Sequence, residues 1–416
     1  GGINTVIATK ARTVCGKYGD RYFTIGPDLG QGADREFEED PALLKGWRQT
    51  LYEKGIRVRV GHWRIVGRPQ VILVDFSSLI PRKDDILKFL WESYRVDSIS
   101  GQWDYIEPVL FGYAAGLVVA SYVETFCKSA NRVAAHFHEW MTAAGGLYLR
   151  RESPYVATLF TTHATVLGRS IAGNGMPLYR DLTTYNADDL ARRFGVTAKH
   201  SIEKKAAANS DAFLTVSGIT ATECRYLLGH EVDVVTPNGF EDDFVWQGDD
   251  YRAEACLGRK LQDDPLIVGT SGRYEFRNKG LDVLLEGMKR LAGLERLDRE
   301  VVLYVMVPAA NRGARADLQK HLQDPSQPID GSQWPWATHY LENMQWDPIV
   351  RAIDGSPLAD PASKVHVIFV PSYLDDRDGI FDKSYYELLV GMDLTLFPSY
   401  YEPWGYTPLE SIAFSV

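Results

Sequence analysis

The sequence predicts an α/β protein of two domains, each built on a parallel sheet. Three observations lead there. Short β-rich apolar runs alternate with longer amphipathic ones, the runs form two groups, and a polar, acidic stretch separates the groups. Strands alternating with helices need crossover connections, which produce βαβ units and parallel sheets. A chain of 416 residues has the length for two domains or more, at roughly 100–200 residues each.

In the first group, strands are predicted at 22–25, 71–76, 133–137, 156–161, 213–216 and 232–235. Helices fall between them, one built outward from 86–91 and one over 110–129. In the second group, strands are predicted at 266–270, 301–307, 365–370 and 394–397. The helix after the first of these carries Leu281, Leu284, Leu285, Met288 and Leu291. That spacing is the stripe of a helix packed on a sheet. The acidic stretch at 239–264 holds the junction, so the domains are set at 1–250 and 251–416. Residues 311–345, with Asp324-Pro325 and a Trp334-Pro335-Trp336 cluster, read as an irregular insertion in the second domain. Open α/β sheets bind ligands beyond the carboxyl ends of their strands. Two such domains face to face place a cleft between them.

Composition narrows the function. Lys and Arg number 45 against 55 Asp and Glu, a net charge of −10. That argues against holding nucleic acid or an anionic membrane through bulk charge. Any bound phosphate must be held by local groups. Ten Trp and 22 Tyr suit sugar stacking, although core packing accounts for most aromatics in most proteins. Cys15, Cys127, Cys224 and Cys256 lie far apart with no C-x-x-C pair. This argues against a zinc site or disulfide framework and fits a reducing, cytoplasmic compartment. No uninterrupted apolar run approaches the roughly 18 residues of a membrane span. The chain opens on Gly1-Gly2-Ile3 and ends at Val416 within an apolar segment, which reads as an internal piece of a longer protein.

Five strings could carry chemistry. Gly1 and Gly2 open an amphipathic helix, where free backbone N–H groups and the helix dipole can cradle a phosphate; a plain loop is the alternative. HFHEW at 136–140 follows a strand, and its two His lack a further ligand at metal-like spacing. THATVLGR at 162–169 pairs His163, able to bond a sugar hydroxyl, with Arg169, able to bind phosphate; the alternative is a capped helix start with an exposed Arg. GRYEFRNKG at 272–280 places Arg273, Arg277 and Lys279 where strand becomes helix, either a diphosphate clamp or a solvated basic loop. SYYEPWGYTPLE at 399–410 contains a predicted capping box, with Thr407 as N-cap, Pro408 at N1 and Glu410 at N3.

At SYYEPWGYTPLE the chain resembles the E-x(7)-E motif of retaining GT-B glycosyltransferases, in the form of eukaryotic-type glycogen synthases, glycosyltransferase family 3. The resemblance extends through GGINTVIATKA, HFHEW, TTHATVLGR, TVSGITATE, VTPNGF and GRYEFRNKGLDVLLEGM. It implies a GT-B fold, two Rossmann-like domains facing across a cleft. It implies retaining transfer of glucose from a nucleotide sugar, UDP-glucose favoured over ADP-glucose, to the non-reducing 4-OH of glycogen or another α-1,4-glucan. No metal or other cofactor is implied.

Carried residue by residue, the resemblance sets Gly1 and Gly2 against the donor diphosphate, and His163 and Arg169 at the glucose and phosphate. Asn238 lines that pocket, Arg273 and Lys279 stabilise the leaving diphosphate, and Tyr385 stacks on the base. Glu402 lies near the transferred glucose, with Trp404 in the same donor-binding string. The Gly405, Tyr406 and Thr407 backbone holds sugar and phosphate, and Glu410 bonds the ribose. Asn4 departs from the family, standing where animal and yeast enzymes carry an aromatic. The strand usual before the glycine pair, the C-terminal closing helices and the arginine-rich glucose 6-phosphate helix have no counterpart here. Two other readings compete: a related GT-B transferase with a small sugar acceptor, and an inactive glycan-binding scaffold. The scaffold predicts erosion of Arg273, Lys279, Glu402 and Glu410, all of which are present. Oligomeric state, including a homo-oligomer, is left open.

Overall fold

The structure is a computed structural model that describes residues 2–30, 36–53, 55–127, 132–239, 253–257, 260–261, 265–329, 333–414 and 416. The chain divides into two compact units, Gly1–Phe240 and Glu241–Val416. Most of the predicted junction, like Gly1, lies outside the described residues.

The first unit begins with the helix Gly2–Tyr18 and contains two sheets. One is formed by β1 (Phe23–Pro27), β2 (Phe37–Glu39), β3 (Arg57–Trp63) and β4 (Gln70–Asp75), in the order β1-β4-β3-β2. Only β1 and β4 pair in parallel; β3 runs antiparallel to both β4 and β2. The sequence reading missed β2 and β3 and expected parallel pairing throughout. In β3, RVRVGHW, polar residues interrupt every apolar run, so no contiguous β-rich segment marks it. The second sheet is parallel throughout, ordered β5 (Val133–His138), β6 (Val156–Thr162), β7 (Ala212–Thr215) and β8 (Val234–Val235).

The helix Trp103–Phe126 serves both sheets. Val109, Ala120 and Val123 pack with the β5–β7 core, whereas Leu110, Ala114 and Val118 pack with Val60, Ile72 and Val74 of β3 and β4. A helix buried on both sides is apolar all round. By length and composition this one could cross a membrane, a candidate the search for uninterrupted apolar runs passed over. Its packing makes it a core helix. It starts earlier than predicted and takes Pro108 inside it. Proline removes one helical hydrogen bond, and burial of Tyr105 and Val109 outweighs that loss.

The second unit contains β9 (Leu266–Ser271), β10 (Val301–Met306), β11 (Asn311–Ala314), β12 (His339–Leu341), β13 (Val365–Val370) and β14 (Leu394–Thr395). Its main sheet is parallel, in the order β13-β10-β9-β14. Alternate residues serve opposite faces. Val268, Leu303, Val305 and Val367 meet the predicted stripe of the helix Leu281–Ala292 on one face. Ile267, Val302, Tyr304 and Ile368 meet Leu388, Leu389 and Met392 on the other. From β9 the chain builds outward to β10 and β13, then returns to lay β14 on the opposite side of β9. The topological switch point therefore lies at the carboxyl ends of β9 and β14, where such sheets bind ligands.

Much of the expected irregular insertion forms regular elements among the described residues. β11 and β12 pair antiparallel around the helix Ala316–Gln323. Arg315, fully buried, donates to the carbonyls of Pro335 (2.6 Å) and Ala337 (3.1 Å). A segment pinned by a buried guanidinium shows no apolar period, which is why it read as loop.

Candidate active site

The predicted site residues fall into two groups, one in each unit. In the second unit, two loops leave the switch point side by side: residues 272–280 after β9 and residues 396–405 after β14. Gly280 joins them. It sits at φ +64°, and a Cβ there would lie 1.7 Å from the Pro398 carbonyl oxygen. The Asn278 carbonyl accepts the N–H groups of Tyr400 (2.9 Å) and Tyr401 (3.2 Å). Across this seam Lys279 Nζ pairs with Glu402 Oε2, at 13% and 27% side-chain exposure. Arg273 is 61% exposed, 3.5 Å from Glu275. Arg277 stands apart from both, pairing with Asp282 (3.5 Å) and lying over the Tyr400 ring (5.0 Å). Tyr274 anchors the first loop by donating to Asp347, whose carboxylate caps the helix Pro348–Ile353.

The predicted capping box at Thr407 is not formed. Gly405, at φ +85°, turns the chain so that the helix Tyr406–Ala413 begins two residues early, with no side-chain cap. Thr407 thus lies inside the first turn. Pro408 is the third helical residue, where a backbone N–H has no intrahelical partner to lose. The first turn of a helix is a place where backbone N–H groups can hold an anion or a sugar oxygen. Glu410 is buried and accepts the Tyr386 hydroxyl (3.1 Å). Burial pushes its carboxyl up to about 7, against the opposing effect of the Tyr386 bond. The same S/T-x-x-E pattern forms a capping box at Ser384 and Glu387 instead, which opens the helix Tyr385–Leu389. Tyr385 accepts a hydrogen bond from Ser271 Oγ (2.8 Å) at the end of β9, which brings its ring to the switch point. Trp404 Nε1 is buried without a hydrogen-bond partner among the described residues.

In the first unit, the group lies at the carboxyl ends of β5 and β6. The three imidazoles of His136, His138 and His163 adjoin: His138 Nδ1 is 3.0 Å from His163 Nε2, and the His136 and His138 ring centroids are 4.1 Å apart. Burial, then the Lys10 charge, lowers His163 to about 4. It is neutral at physiological pH and acts as a hydrogen-bonding group. Arg169 lies half-buried on the helix Val166–Gly173, whose N-cap Thr165 accepts from Gly168 N–H (3.0 Å). Asn238 is half-buried just beyond β8, and Gly2 opens the first helix.

Sequence reasoning missed two residues here. Glu139 has φ +66°, a rare conformation for a non-glycine residue. Its carboxylate accepts the His163 N–H (3.0 Å). Nothing in the string HFHEW marks that strain. Lys10, on the first helix, supplies the charge that acts on all three imidazoles.

Behind His163 lies Glu203, with no exposure. Burial, then the Glu139 charge, pushes its carboxyl up to about 8 from an ordinary 4.5. The folded protein therefore keeps a proton that the unfolded chain releases above 4.5. Stability is expected to fall as pH rises between 4.5 and about 8. Glu203→Gln should flatten that slope, measured as thermal midpoint against pH. An unchanged slope would place the titration elsewhere. Among the described residues, no group of three or more His, Cys, Asp or Glu is arranged to hold a metal ion.

With this geometry described, comparisons locate the chain among known proteins. The profile of the family described as glycogen synthase matches residues 1–245 and 328–416. The unmatched stretch contains β9 and residues 272–280, so Arg273 and Lys279 rest on their motif and their position. A glycogen [starch] synthase of Neurospora crassa is 29% identical, over 100% of this chain and 69% of that protein. One from Dictyostelium discoideum is 30% identical, over 99% of this chain and 54% of that protein. Isoform 2 from Saccharomyces cerevisiae is 28% identical, over 100% and 71%. Among solved structures, a UDP-forming trehalose-phosphate synthase from Burkholderia xenovorans, in complex with glucose 6-phosphate, is 12% identical over 94% of this chain and 82% of that chain, with a TM-score of 0.49. The extent of the family match, over all of the first unit and about half of the second, settles the kinship: the chain belongs to the glycogen synthase family.

Proposed function

We propose that the protein transfers glucose, with retention of anomeric configuration, from UDP-glucose to the non-reducing 4-OH of an α-1,4-glucan. The observation that carries this reading is the knit pair of loops at the β9/β14 switch point, with Lys279 held against Glu402. Breaking the glycosidic bond develops negative charge on the leaving diphosphate and positive charge on the sugar. Lys279 and Arg273 are the cations for the first; Glu402, on the facing loop, is the carboxylate for the second. The unpartnered Trp404 N–H offers a donor to the phosphate and sugar oxygens. Glu410 takes the ribose and Tyr385 the base. In the first unit, neutral His163, with Arg169 and Asn238, offers groups suited to a sugar hydroxyl and a phosphate. Four free cysteines support a cytoplasmic setting.

Nucleotide release from the full-length protein, with glycogen as acceptor and UDP-glucose compared with ADP-glucose, tests the donor. A higher kcat/KM is expected with UDP-glucose; the reverse order overturns that choice. Because side-chain cations serve the leaving group, EDTA should leave the rate largely intact. Loss of activity on chelation, restored by Mg²⁺ or Mn²⁺, contradicts the metal-free account.

A further inference from the structure

Three carboxylates from three different elements converge on one turn. The turn, residues 162–168, carries His163 and leads into Arg169. Glu139, just past β5, accepts the His163 N–H (3.0 Å). Glu203, on the helix Thr197–Asn209, accepts the Thr162 hydroxyl (2.6 Å) through one oxygen and the Val166 N–H (3.0 Å) through the other. Glu223, ending the helix Gly218–Glu223, accepts the Thr165 hydroxyl (2.7 Å) and the Tyr179 hydroxyl (3.0 Å). A Cβ on Gly168 would fall 2.5 Å from Glu223 Oε2 and 2.4 Å from Thr165 Oγ1, so only glycine lets this carboxylate come so close.

Glu203 and Glu223 are both fully buried. Burying a carboxyl group, protonated or charged, is costly unless its bonds are satisfied, and replacing a buried polar group and its partner by apolar groups of the same shape can be nearly neutral. Stability alone is therefore a poor reason for two such groups behind one turn. The bonds to Thr162, Thr165 and Val166 share one feature: each fixes a backbone or side-chain atom of residues 162–168, while the Tyr179 bond orients Glu223 itself.

We propose that Glu203 and Glu223 are positioning residues of the donor site, locking residues 162–168 so that His163 and Arg169 face the nucleotide sugar in one fixed geometry. This rests on the glucosyltransferase reading, in which His163 and Arg169 meet the donor. Neither acid touches substrate.

The test uses Glu203→Gln and Glu203→Leu in the full-length protein. Glutamine keeps an acceptor for the Val166 N–H and supplies a donor toward Thr162 Oγ; leucine keeps the bulk and loses both bonds. Three measurements are taken: kcat and KM with UDP-glucose, thermal midpoint, and amide hydrogen exchange of the segment 162–168. Glu203→Leu is expected to lower kcat on the order of 10²-fold, as misplaced catalytic groups do, while remaining folded and exchanging faster across the turn. Glu203→Gln is expected to restore most of the rate and the protection. If Glu203→Leu does not fold, Thr162→Val removes one bond at nearly constant shape and should shift rate and exchange in the same direction. Wild-type kcat in a folded Glu203→Leu, or Glu203→Gln as impaired as Glu203→Leu, overturns the proposal. So does unchanged exchange in Glu203→Leu. Should the unmodified protein turn over no nucleotide sugar, the glucosyltransferase reading falls, and the exchange data still decide whether these acids lock the turn.

Discussion

Lys279→Ala is expected to lower kcat by on the order of 10²–10³, the loss typical of removing one preorganised electrostatic stabiliser. Lys279 is largely buried and held against Glu402, so its charge is fixed before the reaction begins. Arg273→Ala should fall toward the lower end of that range, because its exposed side chain is only loosely held by Glu275. Arg277→Ala should cost far less, since its charge is engaged by Asp282 and Tyr400. Acceptor KM should barely change, because the lost interaction serves the leaving group. If both cations act on one diphosphate, the double variant loses less than the sum of the singles. Were all three plain surface charges, each substitution would matter little to rate or stability. Steady-state kinetics of the three variants, with thermal melts to confirm folding, distinguish the two cases. Near-wild-type kcat for both Lys279→Ala and Arg273→Ala removes the leaving-group clamp.

Gly280→Ala is expected to do comparable damage by a different route. The residue holds a left-handed conformation, and a methyl group would meet the Pro398 carbonyl at 1.7 Å. Backbone strain and overpacking each cost on the order of 1–3 kcal/mol, so a drop of several kcal/mol in stability is expected. The clash pushes apart the two loops that carry Lys279 and Glu402, so kcat should fall even in molecules that stay folded. Gly287→Ala is the control, lying on the same helix with nothing near its Cβ. Thermal melts and kinetics of both variants check this. Equal behaviour of the two would mean that the loop seam has no role.

The most buried strands of the second unit's parallel sheet were legible because buried strands are near-continuous apolar runs. β10, VVLYVM, and β13, VHVIFV, are buried at every position. β2 and β3 were not, since one is three residues long and the other carries two arginines among its valines. In the site, residues 272–280 and 399–410 were found by motif, and the strand order that sets them side by side came only from the structure. The cap at Thr407 was misread because its S/T-x-x-E spacing is genuine, while the left-handed Gly405 that pre-empts it is a conformation, which sequence does not display. Glu139 and Glu203 escaped for a related reason. A strained φ and a fully buried carboxylate are facts of tertiary packing, and a Glu on a helix ordinarily reads as a solvated face.

Glucosyl transfer to a glucan, with the β9/β14 loops serving the donor, leaves a specific chemical signature. Its most direct test is the linkage of the product. Full-length protein is incubated with UDP-glucose and a maltooligosaccharide, and the newly formed anomeric proton is read by NMR, with Lys279→Ala in parallel. The expected product carries α-1,4-linked glucose added at the non-reducing end, and its formation by Lys279→Ala is strongly reduced. A β-linked product, or no transfer by folded full-length protein, would contradict it.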